Sequence, residues 1–384
     1  MSASFPLPPR DRHARHRLIS GWDTEALSRT RVVVVGAGAL GNEVLKGLAL
    51  VGVGEILIVD RDLIETSNLV RCVLFREGDV GRAKAVVAAA RLRELAPETH
   101  TWPLVGDVAL DLGVATLREA HLVLGCLDSV GARLTLNRLC LQAGVPYFDG
   151  GLSAEACQVS RYGDGTEGAC YACGLTAGMQ RRLNTSRSCA GLLKAPGGAP
   201  LPTTAVTAGI AGAMLVDQVL AVRFPGWTAM APGTRRTMQL HPPVLLDDLL
   251  PIRSDCPEHG CLPPFSSGPD PSEILPSTLL AREGILSIGL PFEVATSLEC
   301  RACRHIEAVL VPVDRLRRSE AACPFCDHER WVVGTTCIDP HSPFLDRNLA
   351  EWGLTPGHVC ELRGEASHWL AFGASWFEKE VPRG

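Results

Sequence analysis

Residues 31–84 read RVVVVGAGALGNEVLKGLALVGVGEILIVDRDLIETSNLVRCVLFREGDVGRAK, and the spacing inside this stretch decides the fold. Arg31 to Val35 is a β-branched run that predicts a strand. Gly36, Gly38 and Gly41 follow it in the G-x-G-x-x-G spacing that opens a helix from about Ala39. Glycines at these positions let the backbone approach a phosphate closely, and the helix N-terminus adds free N–H groups and the positive end of its dipole. A second apolar strand, Glu55 to Val59, ends at Asp60, about 20 residues on, where an acid grips ribose hydroxyls. This strand, glycine turn, helix and strand imply an α/β domain with a Rossmann-like parallel or mixed sheet. As far as Asp60, a dinucleotide such as NAD fits equally well.

The residues beyond Asp60 favour a nucleoside triphosphate. Asn68, Arg71 and Lys84 place two cations and an amide just past the ribose acid, where a nicotinamide site has no use for them. The chain has only four lysines, at 46, 84, 194 and 379, so one in the segment D-V-G-R-A-K is notable, although a solvated face would also accommodate it. A third apolar strand, His121 to Cys126, ends at Leu127-Asp128, and a carboxylate at such a strand end can hold Mg²⁺ against phosphates.

Over about residues 12 to 225 the chain resembles the adenylating domain of the ubiquitin-activating superfamily, which includes the bacterial ThiF and MoeB enzymes. The pieces are R-H-A-R-H (12–16), G-A-G-A-L-G (36–41), D-R-D (60–62), S-N-L-V-R (67–71), D-V-G-R-A-K (79–84), L-D-S-V-G-A-R (127–133) and L-P-T-T-A-V-T-A-G-I-A-G-A (201–213). The resemblance implies an ATP site in which Asp60 binds ribose, Asn68, Arg71 and Lys84 bind the phosphates, and Asp128 holds Mg²⁺ with help from Asp62. It also implies that Arg15 enters the ATP site of a partner subunit, making a homodimer. Two pieces depart from the usual pattern: R-H-A-R-H stands for R-Y-x-R-Q, and Asp128-Ser129 for Asp-Asn. The implied reaction is adenylation of the C-terminal carboxylate of a ubiquitin-like protein that ends in a flexible, glycine-ended tail.

Fifteen cysteines raise two questions, where metal sits and which thiol accepts the acyl group. Cys170-x2-Cys173 and Cys256-x4-Cys261 supply four thiolates for a structural Zn²⁺, with His259 the lesser candidate. Cys189 lies in a polar stretch with Arg181, Arg182 and Arg187, cations that favour the reactive thiolate. In the superfamily this crossover loop, about residues 176–202, can carry the cysteine that takes the modifier as a thioester and passes it to a conjugating enzyme. The spacing is most like the enzyme type that activates the ubiquitin-fold modifier. Cys300-x2-Cys303 and Cys323-x2-Cys326, separated by the strand-like run Ile306 to Val313, have the spacing of a zinc ribbon, a second structural Zn²⁺ site.

The expected organisation is a tail over residues 1–11, an adenylating domain over 12–262, a Pro-, Ser- and Gly-rich linker over 263–295, and a zinc-ribbon β module over 296–384. Few-stranded β structure is expected over residues 348–372. A net charge of -5 disfavours nucleic acid as a partner. The long uncharged stretch 195–216 is broken by prolines, so residues 203–222 are expected as a buried helix and no membrane association is expected. Free cysteines without a secretion signal predict a cytoplasmic setting. An arginine-to-lysine balance of 33 to 4 fits a GC-rich, bacterial source. Two alternatives stay open: a sulfur-carrier adenylyltransferase with no obligatory enzyme thioester, and a zinc-stapled scaffold whose nucleotide site is regulatory.

Overall fold

The computed structural model describes residues 12–176, 202–316, 322–373 and 376–378. The β-branched run forms β1, Arg31–Val35, after a short α1, Thr24–Ser28, and the glycines open α2, Ala39–Val51. The chain continues through β2 (Glu55–Val59), α3 (Lys84–Leu95), β3 (His100–Leu104), α4 (Val114–Arg118), β4 (Leu122–Gly125), α5 (Val130–Ala143) and β5 (Tyr147–Leu152). These strands pair in parallel in the order β3-β2-β1-β4-β5. Three antiparallel strands, β6 (Ala156–Tyr162), β7 (Thr234–Leu240) and β8 (Pro243–Leu249), extend the sheet to eight. β1 pairs with β2 on one side and β4 on the other, so the strand order reverses there. In open α/β sheets ligands bind at this switch point, beyond the carboxyl ends of the strands. The glycine turn and the Leu127-Asp128 turn meet at that point.

Each sheet face is covered differently. One is packed by α2, α3 and α6 (Ala205–Arg223), whose apolar residues share a core with the even positions of β1, Val32 and Val34. α6, 19 residues long, has a mean hydropathy of 1.7 over its most apolar 18-residue window, enough to cross a membrane by length and composition. It instead buries Ala211, Leu215 and Val219 completely against this core. The opposite face takes Val33 and Val35, with α4 and α5 over part of it.

The rest of that second face is covered by the C-terminal part of the chain. β9 (Ser266–Gly268), α7 (Pro276–Leu280), β10 (Ile285–Glu299), β11 (Ile306–Pro312), β12 (Trp331–Ile338), β13 (Val359–Gly364) and β14 (His368–Phe372) follow in sequence. They build a six-stranded sheet, β11-β10-β13-β14-β9, with β12 also on β10. Val359, Ala371 and Phe377 join the same apolar cluster as Val33 and Trp102. Trp102 meets Phe377 edge-on at 5.6 Å, Arg315 pairs with Asp111 at 2.6 Å, and Ala115 N donates to Gly357 O at 3.0 Å.

The expected linker over 263–295 is therefore overturned. Phe265 lies under the Arg118 guanidinium at 4.2 Å, and β9 pairs with β14 about a hundred residues later. Pro271 and Pro276 stand at first-turn positions of short helices, where a missing N–H costs nothing. Their composition reads as loop, and their positions are helix starts.

Candidate nucleotide site and cysteine clusters

The three glycines have three separate physical reasons. Gly36 has φ +98°, and a Cβ there would lie 2.4 Å from Cys126 O. A Cβ on Gly41 would lie 1.9 Å from Gly36 O, so only glycine lets α2 begin this close to the turn. A Cβ on Gly38 meets nothing within 4 Å, which leaves its backbone open to an approaching group. These match the tight-turn, close-packing and phosphate-approach roles of the motif.

A buried residue that no sequence motif singles out, Asn42, ties this loop to its neighbours. Its Nδ2 donates to Ala37 O at 2.7 Å and Gly38 O at 3.1 Å, and its Oδ1 accepts from Leu74 N at 2.9 Å. The one available signal was an amide on an otherwise apolar helix face, here fully buried.

Asp60 accepts from Ala37 N and Asp62 N, both at 2.7 Å. Burial pushes its carboxyl above the ordinary range, against those two donors and the Lys84 ammonium. Each oxygen keeps a lone pair for a ribose hydroxyl. Lys84 begins α3, is nearly buried, and contacts Asp62 Oδ2 at 3.1 Å. Asp62 is exposed and can rehydrate if the lysine turns to a phosphate. Asn68 accepts from Glu65 N at 3.0 Å through its carbonyl, and its NH₂ is left to donate. Among the described residues the half-buried Arg71 guanidinium has no hydrogen bond or ion pair. Burial pushes the Cys72 thiol up to about 11, against the opposing pull of the Arg71 and Lys84 charges. Asp128 is exposed in the turn after β4, ahead of Ser129, which caps α5 by accepting from Ala132 N at 3.2 Å.

Gly36, Gly38, Gly41, Asp60, Asp62, Lys84 and the turn that carries Asp128 thus lie together at the switch point, while Asn68 and Arg71 follow on the segment between β2 and α3. Arg15 lies apart. Its segment is pinned to the far ends of α2 and α3: Arg12 pairs with Glu98 at 2.8 Å, and the His13 ring would lie 3.0 Å from a Cβ on Gly52. α2 alone is about 20 Å long by its helical rise. The exposed Arg15 side chain therefore stands a helix length away from its own chain's glycine loop.

The first cysteine cluster differs from expectation. Cys170, Cys173, Cys256 and His259 bring their ligand atoms within 4.8 Å of one another. Cys170 Sγ lies 3.7 Å from Cys256 Sγ, and Cys173 Sγ lies 3.2 Å from His259 Nε2. Cys261 is not in this group: Gly260, at φ +135°, turns the chain away, and the exposed Cys261 runs to the end of α5, where Leu262 N donates to Gln142 O at 3.0 Å. The expected four-cysteine set is corrected to three cysteines and a histidine, a donor set that also suits tetrahedral zinc. The second cluster gathers Cys300, Cys303, Cys323 and Cys326 as expected from their spacing. Its two knuckles are alike: Arg304 and Asp327, each four residues after the first cysteine, have φ +61° and +57°. Cys189, its neighbouring arginines and residues 1–11 lie outside the described residues.

A glycine loop open at the switch point, with the carboxylate that ends β2 bonded into it, is the arrangement of a Rossmann-like α/β fold. Its family is shown by sequence: the ThiF family matches residues 11–236, more than half the chain, and the protein belongs to that family. It is 35% identical over 176 residues to the SAMP-activating enzyme E1 of Haloferax volcanii, covering 45% of this chain and 64% of that protein. It is 41% identical over 152 residues to the adenylyltransferase and sulfurtransferase MOCS3 of Mus musculus, covering 38% and 32%. The chain spans less than two thirds of the length of these relatives. A crystal structure of E. coli MccB with succinimide superposes with a TM-score of 0.54 at 24% identity, over 65% of this chain and 74% of that one, a likeness of fold.

Proposed function

We propose that the protein adenylates the C-terminal carboxylate of a small ubiquitin-like protein with ATP. The observation that carries this reading is the chain of contacts from the glycine loop through Asp60 and Asp62 to Lys84, which sets a nearly buried cation beside a loop open to phosphate. The terminal carboxylate attacks the α-phosphorus, pyrophosphate leaves, and an acyl-adenylate remains. Charge builds on phosphate oxygens in the transition state, so positioned cations and N–H donors matter more than a base. The attacking group is already ionised at neutral pH. Asp60 orients the ribose, the N-terminus of α2 with Asn68 holds phosphate oxygens, and Arg71 and Lys84 stabilise the leaving pyrophosphate. Asp128 would hold Mg²⁺, which neutralises phosphate charge when bound. Arg15 acts in the site of a second copy, a reading supported by its distance from its own.

Capture on Cys189 as a thioester, then transfer to a conjugating enzyme, completes the proposal. The two cysteine clusters would each hold a structural Zn²⁺, and free thiolates there fit a cytoplasmic setting. The similarity to a protein named adenylyltransferase and sulfurtransferase favours a second reading, in which the adenylate goes to a sulfur donor and no thioester is needed. Incubation with Mg-ATP and a candidate ubiquitin-like protein tests both by mass spectrometry. A reductant-sensitive adduct lost in Cys189→Ala supports capture; adenylated protein without an adduct supports the second reading; no pyrophosphate exchange refutes both.

A further inference from the structure

We infer that Arg133 is a positioning residue that holds the Leu127-Asp128 turn in place against the glycine loop, and that buried Asp149 and Tyr147 fix Arg133 for that task. The inference deepens the proposed function and rests on it. Arg133 lies on α5, one turn past Asp128, and its Nη2 donates to Leu127 O at 2.7 Å and to Gly150 O at 2.8 Å. Its Nε faces Asp149 Oδ2 at 3.1 Å. Asp149, on β5, is 1% exposed and also accepts from the Tyr147 hydroxyl at 2.9 Å. A guanidinium is a rigid fork, so fixing one edge on the carboxylate fixes where the other edge points. Here that edge points at the carbonyl directly before Asp128.

Two independent features of β4 support a built device. A Cβ on Gly125 would lie 2.6 Å from Asp149 Oδ1 and 2.8 Å from the Tyr147 oxygen, so the strand gives up its last side chain to make room for the network. The next residue supplies Cys126 O, the atom a Cβ on Gly36 would strike. The 126–128 segment is thus held between the glycine loop on one side and the Arg133 fork on the other. Moving the fork moves Asp128 relative to the phosphates while leaving the glycine loop, Asp60 and Lys84 where they are. Burial pushes the Asp149 carboxyl up to about 6, against Arg133 and Tyr147, so it is ionised at neutral pH and keeps its hold on the guanidinium.

Arg133→Lys tests this. Lysine keeps a cation beside Asp149, so the fold is expected to survive, but its single ammonium cannot reproduce the planar fork. ATP binding is measured by calorimetry on the full chain, with Mg²⁺ absent and with Mg²⁺ titrated. The expected result is a tenfold or greater rise in the Mg²⁺ concentration needed for half-maximal enhancement of ATP binding, with Mg²⁺-free ATP affinity within twofold of wild type. A merely structural role would weaken both together, and that result, or an unchanged Mg²⁺ requirement, overturns the inference. If Arg133→Lys does not fold cooperatively, Asp149→Asn keeps the guanidinium and loosens its anchor. A threefold or greater rise in Mg²⁺ requirement supports the inference, and none overturns it. Wild-type protein that binds no ATP would instead refute the proposed function itself.

Discussion

Alanine at Gly38 should weaken nucleotide binding about tenfold to hundredfold without harming the fold, whereas alanine at Gly41 should harm the fold first. Gly38 has φ -73° and ψ -156°, extended backbone that alanine adopts without strain, and its Cβ would meet nothing within 4 Å. As the residue before α2 it loses some cap preference on becoming alanine, about 1 kcal/mol, and regains about 0.4–1 kcal/mol from the stiffer unfolded chain. The net change is therefore under about 1 kcal/mol, or roughly 2–4 °C in Tm for a domain of this size. A methyl group facing the open side would displace a phosphate from the helix N-terminus. Charge-assisted hydrogen bonds of this kind contribute about 1.5–3 kcal/mol each, so losing one weakens ATP binding about tenfold to hundredfold. At Gly41 the added Cβ would lie 1.9 Å from Gly36 O, and relieving that overlap requires moving backbone. Overpacking of this kind costs about 1–3 kcal/mol or more. Paired thermal melts and ATP titrations of Gly38→Ala and Gly41→Ala check the argument. Wild-type ATP affinity in Gly38→Ala would refute the assignment of this loop to phosphate.

The first cysteine cluster and a buried histidine give two further expected outcomes. His259→Ala should cut the zinc content of purified protein from two ions to one while Cys261→Ala keeps both, measured by elemental mass spectrometry; the reverse pattern would restore the four-cysteine set. His358 accepts from Thr355 N at 2.8 Å beneath the C-terminal sheet, and burial, with Arg315 adding to it, holds its pKa down to about 4 from an ordinary 6.5. The folded state then binds fewer protons than the unfolded state between those values, so stability is full above pH 6.5 and falls as pH drops toward 4. The contribution at stake is about 3 kcal/mol, and urea melts of wild type and His358→Gln across that range should show the dependence in the first and a flatter curve in the second.

How much of this was legible depended on how local the chemistry was. The glycine turn and Asp60 belong to one βαβ unit, and Lys84 opens the next helix, so residue spacing alone brings these side chains to one end of the sheet. The Cys300 to Cys326 cluster is equally local, since each knuckle is one tight turn. The first cluster was misread at one corner because spacing counts residues and does not say which way a glycine turns them; Gly260 sends Cys261 outward and leaves His259 inside. The Arg133 network escaped because its members come from α5, β4 and β5, and its trace in sequence was an aspartate inside the apolar run Tyr147-Phe148-Asp149. The supposed linker failed for the same reason on a larger scale. Its pairing partner is β14, and Leu262 and Phe265 pack beside α4 and α5 at the edge of the apolar cluster on the second sheet face. A doubly wound sheet with only two helices on one side needs further apolar cover. In this chain the C-terminal part, with its own cysteine cluster, supplies that cover, which makes it a layer of the nucleotide-binding fold rather than an appendage to it.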